Sequence, residues 1–103
     1  MFVLLVTYRA PLERIDELRP AHFDYLRKHY ADGTFLVSGR QRPPAGGVIL
    51  AADVDRPELE RIIATDPYVT EGAAEYTIVE FGPTVVADSV RAGLGAAGVA
   101  LPE

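Results

Sequence analysis

The sequence predicts an α+β fold built on a four-stranded antiparallel sheet. Three observations lead there: four short runs rich in β-branched and aromatic residues, two helical segments between them, and the order β-α-β-β-α-β. That order is the split βαβ, or ferredoxin-like, arrangement, which places both helices on one face of the sheet.

Phe2 to Tyr8 (FVLLVTY) is the clearest strand. Phe2, Leu4, Val6 and Tyr8 fall on one face, Val3, Leu5 and Thr7 on the other, so both faces are largely apolar. A strand covered on one side only alternates apolar with polar residues, so the second face of this strand is expected to pack on another copy of the chain. Pro11 to Leu18 is expected as a short helix, with Leu12, Ile15 and Leu18 at helical spacing. The main helix is expected from about Pro20 to Ala31, because proline suits a first helical turn and disfavours the α conformation in the residue before it. Phe23, Leu26 and Tyr30 form its apolar stripe, and Gly33 suits a left-handed cap.

Thr34 to Ser38 and Val48 to Asp53 read as the second and third strands. Gly39 to Gly47 (GRQRPPAGG) reads as a loop without regular structure, at the rim of a pocket. Asp55 and Glu58 have capping-box spacing ahead of Leu59, Ile62 and Ile63, a second helix that closes near Thr65. Ala74 to Phe81 is the fourth strand. Met1 to Pro83 is thus one domain, and 84–103 is expected as a partly ordered tail or an arm exchanged with a partner, its glycines weakening any helix.

Composition narrows the function. The chain of 103 residues carries a net charge of −5, which disfavours a nucleic-acid partner. Its longest apolar run, Met1 to Val6, is far short of the ~20 residues of a membrane span, and no secretory signal pattern is present. The absence of cysteine rules out disulfides, thiolate metal sites and cysteine nucleophiles, and leaves the cytoplasm as the default compartment. No glycine-rich nucleotide motif or nucleophile elbow occurs, so no cofactor is expected. His22 and His29 are seven apart, not at the adjacent-turn spacing of helical metal ligands, so no metal is expected.

The chemistry-bearing residues sit in two segments, Arg19-Pro20-Ala21-His22 and Thr65-Asp66-Pro67-Tyr68. Histidine titrates near roughly pH 6.5 and can take and return protons at neutral pH. A carboxylate on one ring nitrogen, here Asp66, would fix the tautomer and leave the other nitrogen as a general base. The plainer alternatives are a helix-surface or merely packed histidine at His22 and an Asp66 that bonds only its own turn. Arg19 is a candidate for a substrate carboxylate, Ser38 for a strand-end hydroxyl facing a pocket, and Tyr68 for a hydrogen bond to a substrate oxygen.

Arg19-Pro20-Ala21-His22, Gly33, Ser38-Gly39, Asp66-Pro67-Tyr68 and Gly72, in this order, resemble the YciI family (YCII-related domain). The resemblance covers roughly Met1 to Pro83. It implies a dimeric α+β barrel, a fold shared with muconolactone isomerase and small ferredoxin-like monooxygenases. It also implies a His–Asp site at His22 and Asp66, and acid–base chemistry such as dehydrochlorination on small ring compounds. Two positions depart from the family pattern: Arg40 stands where proline commonly follows the glycine, and Phe81-Gly82-Pro83 replaces a Pro-Trp-like element. The expected protein is therefore a homodimer or higher homo-oligomer acting on a small cyclic or carboxylated molecule by elimination or isomerisation. A non-catalytic dimeric module that binds a small ligand or accompanies a larger enzyme is the alternative.

Overall fold

The computed structural model describes all 103 residues. Four strands, β1 (Phe2–Tyr8), β2 (Phe35–Arg40), β3 (Gly46–Ala51) and β4 (Ala74–Glu80), form one antiparallel sheet in the order β2-β3-β1-β4. With α1 (Leu12–Ala31) and α2 (Arg56–Ile63) between them, this is the ferredoxin-like arrangement. A single turn of helix, α3 (Pro67–Thr70), joins α2 to β4, and α4 (Asp88–Ala96) follows the sheet.

The core lies between the helices and one sheet face. Phe2, Leu4 and Val6 of β1 and Ile49 and Ala51 of β3 meet Ile15, Tyr25 and Leu26 of α1 and Leu59, Ile62 and Ile63 of α2. Leu4, Ile15 and Leu59 are fully buried, each a side chain whose truncation to alanine costs about 2–5 kcal/mol. The opposite face carries exposed apolar side chains, Leu5 at 36%, Val37 at 54% and Val79 at 45%.

One helix replaces the two expected around Pro20. It runs unbroken from Leu12 to Ala31 with Pro20 inside it. An interior proline removes one backbone hydrogen bond and costs roughly 3 kcal/mol. Burial on both sides of it offsets this cost: Ile15 packs before the proline and His22, Tyr25, Leu26 and His29 pack after it, all at one helical phase. The buried stripe is therefore rotated from the expected one, and Phe23 and Tyr30 are exposed at 37% and 38%. Two histidines occupy inward positions because each has a carboxylate partner, Asp66 for His22 and Asp32 for His29, both at 2.8 Å. Asp32 is the C-cap residue, and Gly33 follows at φ +83° as expected.

Gly39 to Gly47 is also more regular than expected. Gly39 pairs with Val48 and Arg40 with Gly47, so the strands extend into the glycine-rich stretch and leave only 41–45 as a connection. Gly46 is required for this. A Cβ there would lie 1.7 Å from the Val6 backbone oxygen, whereas one at Gly39 would meet nothing within 4 Å. The expected capping box is absent: Asp55 makes no side-chain cap bond, and Glu58 instead pairs with Arg61. The segment after Pro83 forms α4, and Val99 beyond it packs with Met1 and Ala52 in a small second cluster. No helix is long and apolar enough to cross a membrane.

Gly46→Ala is expected to destabilise the domain by at least about 1–3 kcal/mol, because the new methyl group strikes backbone. Gly39→Ala is expected to leave stability nearly unchanged. Denaturant unfolding of the two variants checks the contrast.

Candidate active site

Two places where proline shapes the chain bring the site together. Pro20 sits on the first half of α1, two residues before His22. Pro67 opens α3, and the residue before it, Asp66, takes the extended conformation (φ −62°, ψ 125°) that proline imposes. Asp66 Oδ1 then accepts from the Tyr68 N–H at 3.0 Å as an N-cap. The same oxygen is 2.8 Å from His22 Nδ1. Both meanings anticipated for Asp66, the turn residue and the histidine partner, hold at one oxygen.

Asp66 is 0% exposed, so each of its lone pairs matters. Its second oxygen accepts from the Tyr76 hydroxyl of β4 at 2.5 Å, and the Tyr25 hydroxyl of α1 lies 3.4 Å from that of Tyr76. Burial pushes the Tyr76 hydroxyl far above the usual tyrosine range, with the neighbouring Tyr25 and Asp66 charges acting the same way. Burial likewise raises Tyr25, against the hydrogen bond to Tyr76. Both hydroxyls therefore stay protonated, and that of Tyr76 donates to the carboxylate. No buried side-chain nitrogen or oxygen is left without a partner.

His22 is held on three sides. Its ring stacks on Tyr68 with centroids 4.0 Å apart and planes 10° off parallel, and Tyr25 and Phe23 flank it at 5.8 and 6.3 Å. With Nδ1 on Asp66, Nε2 has no protein partner and remains for the cavity that His22 lines.

That cavity, about 280 Å³, opens between α1 and the sheet. Every residue singled out from the sequence borders it except Asp66, which stands behind His22: Arg19, His22, Ser38 and Tyr68 all line the wall. The Ser38 hydroxyl is engaged by the Tyr30 hydroxyl. Arg19 makes no ion pair and lies over the Phe23 ring, its guanidinium 5.0 Å from the centroid. The Tyr68 hydroxyl is raised to about 12 by burial and by Tyr8, against the lowering influence of the Arg19 and Arg40 charges. Val6, Leu26 and Ile49 give the cavity its apolar wall. No group of three His, Cys, Asp or Glu side chains converges on a point that could hold a metal ion.

Three residues escaped the sequence reading: Tyr76, Tyr25 and Arg40. Tyr76 had a signal, because it falls on the inward phase of β4 with Ala74 and Ile78, and a buried tyrosine hydroxyl requires a partner. Arg40 falls in a glycine- and proline-rich stretch whose composition reads as loop.

Comparison with known proteins places this geometry in context. The sequence pattern of the YCII-related domain matches residues 1–82. Among curated proteins, none matches. Among solved structures, one similar chain is 5-chloro-2-hydroxyhydroquinone dehydrochlorinase from Burkholderia phenoliruptrix AC1100, in complex with 2,5-dihydroxybenzoquinone. The match has a TM-score of 0.65 and 17% sequence identity, and covers 79% of this chain and 93% of that one. At this identity the likeness is one of fold.

Because Tyr76 has a raised pKa in the folded state, its contribution to stability is full below the ordinary tyrosine value of 10.0 and is lost as pH rises beyond it. Thermal melts are expected to show stability falling above about pH 10. Tyr76→Phe should flatten that alkaline loss while lowering stability at pH 7 by about 1–3 kcal/mol, through the unsatisfied Asp66 oxygen.

Proposed function

The chain belongs to the YCII-related domain family, and we propose that it is a small cofactor-independent acid–base enzyme with His22 as the proton-transfer residue. The observation that carries this reading is the 2.8 Å contact between His22 Nδ1 and the fully buried Asp66, with Nε2 left to the cavity. Asp66 holds the tautomer with the proton on Nδ1, so Nε2 is the acceptor. After it takes a proton, the carboxylate stabilises the imidazolium.

The substrate class is a small cyclic or carboxylated compound, in keeping with a cavity of about 280 Å³ walled by Val6, Phe23, Leu26 and Ile49. Nε2 removes a proton from a ring carbon or hydroxyl. The electron pair left behind forms a new double bond and expels chloride in an elimination, or moves along the ring in an isomerisation, where the imidazolium returns the proton. The dehydrochlorinase with the similar fold, bound to a dihydroxybenzoquinone, supports the elimination variant. Arg19, Tyr68 and Ser38 orient the substrate, Arg19 through its unpaired guanidinium and Tyr68 through its hydroxyl.

A second reading has its own observation. Asp66 caps α3 and is shared among three donors, which suits a purely structural pair in a ligand-binding module without turnover. The two readings part at His22, whose loss removes turnover in one and only perturbs affinity in the other.

We take the working unit to be a homodimer paired through the bare sheet face. Leu5, Val37 and Val79 are exposed there, with Val3, Val48 and Leu50 half-buried beside them. A contiguous apolar surface of this kind is characteristic of an interface, and two-fold pairing covers it with a copy of itself.

Exchange of ring protons for deuterium in D2O, followed by NMR over a panel of chlorinated hydroquinones and ring carboxylates, tests the chemistry. His22→Asn is expected to slow exchange by about 10²–10⁴-fold while binding persists. Unchanged exchange in that variant overturns the reading. Sedimentation should show a dimer at micromolar concentration, which Leu5→Glu converts to monomer.

A further inference from the structure

The lining of the cavity has a charge opposite to that of the protein. The chain carries −5 overall, yet the charged side chains on the cavity wall are Arg19 and Arg40, with His22 between cavity and core, and none is acidic. Arg19 forms no hydrogen bond to any protein acceptor, whereas Arg40 is fixed in place. Its Nε donates to the Tyr8 hydroxyl at 3.1 Å and its Nη2 to Asp16 at 3.0 Å, with the guanidinium 5.6 Å from the Tyr8 ring centroid.

Asp16 lies one turn before Arg19 on α1, so its ion pair draws Arg40 toward the end of the cavity where Arg19 sits. Both guanidiniums act on the Tyr68 hydroxyl in the same cavity. Tyr8 and Tyr68 line this end and meet edge to face at 6.0 Å, and Leu26 and Ile49 line the cavity as apolar walls. The Tyr8 oxygen already accepts from Arg40, which leaves its proton for a ligand. A guanidinium presents five donors in a planar fork, and Arg40 spends only two of its groups on protein.

We propose that Arg19 and Arg40 together form a clamp for a planar oxyanion, so that the site selects a single-ring carboxylate, with Arg40 as the specificity-determining residue. This deepens the acid–base reading of the same site by naming what the substrate must carry. The apolar wall takes the ring, the two guanidiniums and the Tyr8 and Tyr68 hydroxyls take the carboxylate, and Nε2 of His22 faces the atoms between. Asp16 competes with the ligand for the Arg40 cation in the open site.

Benzoate and its neutral isostere benzamide test the clamp by NMR titration of the full chain. The wild type is expected to bind benzoate about tenfold or more tighter than benzamide, a preference that Arg40→Gln abolishes with little effect on benzamide. Asp16→Asn should strengthen benzoate binding severalfold and leave benzamide unchanged, and it decides the matter if Arg40→Gln does not fold. Equal affinity for the two probes, an unchanged preference in Arg40→Gln, or weaker benzoate binding in Asp16→Asn overturns the proposal. Failure of the enzyme reading looks different: no deuterium exchange on any ring compound, with the benzoate preference intact in the wild type and in His22→Asn.

Discussion

A single buried carboxylate ties this domain together. Asp66 is sealed from water, and an ionised group in that position is tolerated only with full hydrogen bonding. Its donors come from three different elements: the Tyr68 N–H opens α3, the His22 ring belongs to α1, and the Tyr76 hydroxyl belongs to β4. Removing the charge would therefore release a cap, a helix-to-turn tie and a sheet-to-turn tie together. Other ion pairs, such as Arg27 with Asp24 or Arg61 with Glu58, sit at the surface between neighbours on one helix, where they are worth a few tenths of a kcal/mol.

The same convergence explains why the architecture was legible in the sequence and some of its details were not. Strand β1 was plain because both its faces are apolar, and the order of elements followed from turn residues and periodicity. The phase of α1 differs because apolarity alone points Phe23, Leu26 and Tyr30 inward. His22 and His29 turn inward because Asp66 and Asp32 stand beside their Nδ1 atoms, partners that are distant in the chain or lie in the cap. Pro20 was read as a start because its local preference is real; long-range burial of Ile15 on one side and Leu26 on the other overrode it. The glycines at 46 and 47 read as loop punctuation, while Gly46 is in fact a point where β3 lies too close to β1 for any side chain.

At the site, the sequence indicated which residues to suspect and the fold shows what each one touches. His22 and Asp66 are 44 positions apart and in direct contact. Arg19, Ser38 and Tyr68 share a cavity wall. The sheet brings Arg40 and Tyr76 into view: one because β2 runs two residues further than its composition suggests, the other because the register of β4 against β1 turns it inward opposite Val6.

The face-to-face stack of His22 on Tyr68 carries a stereochemical consequence. With one side of the imidazole covered at 4.0 Å and Nδ1 fixed to Asp66, the ring cannot rotate to present its nitrogens in turn. A base so confined meets a bound ring from one side only. In an isomerisation by the proposed route, the proton leaves and returns on the same molecular face, and part of an isotopic label stays with the molecule it came from. Under the proposed route, rigidity at one aromatic contact would decide which face of the substrate exchanges its proton.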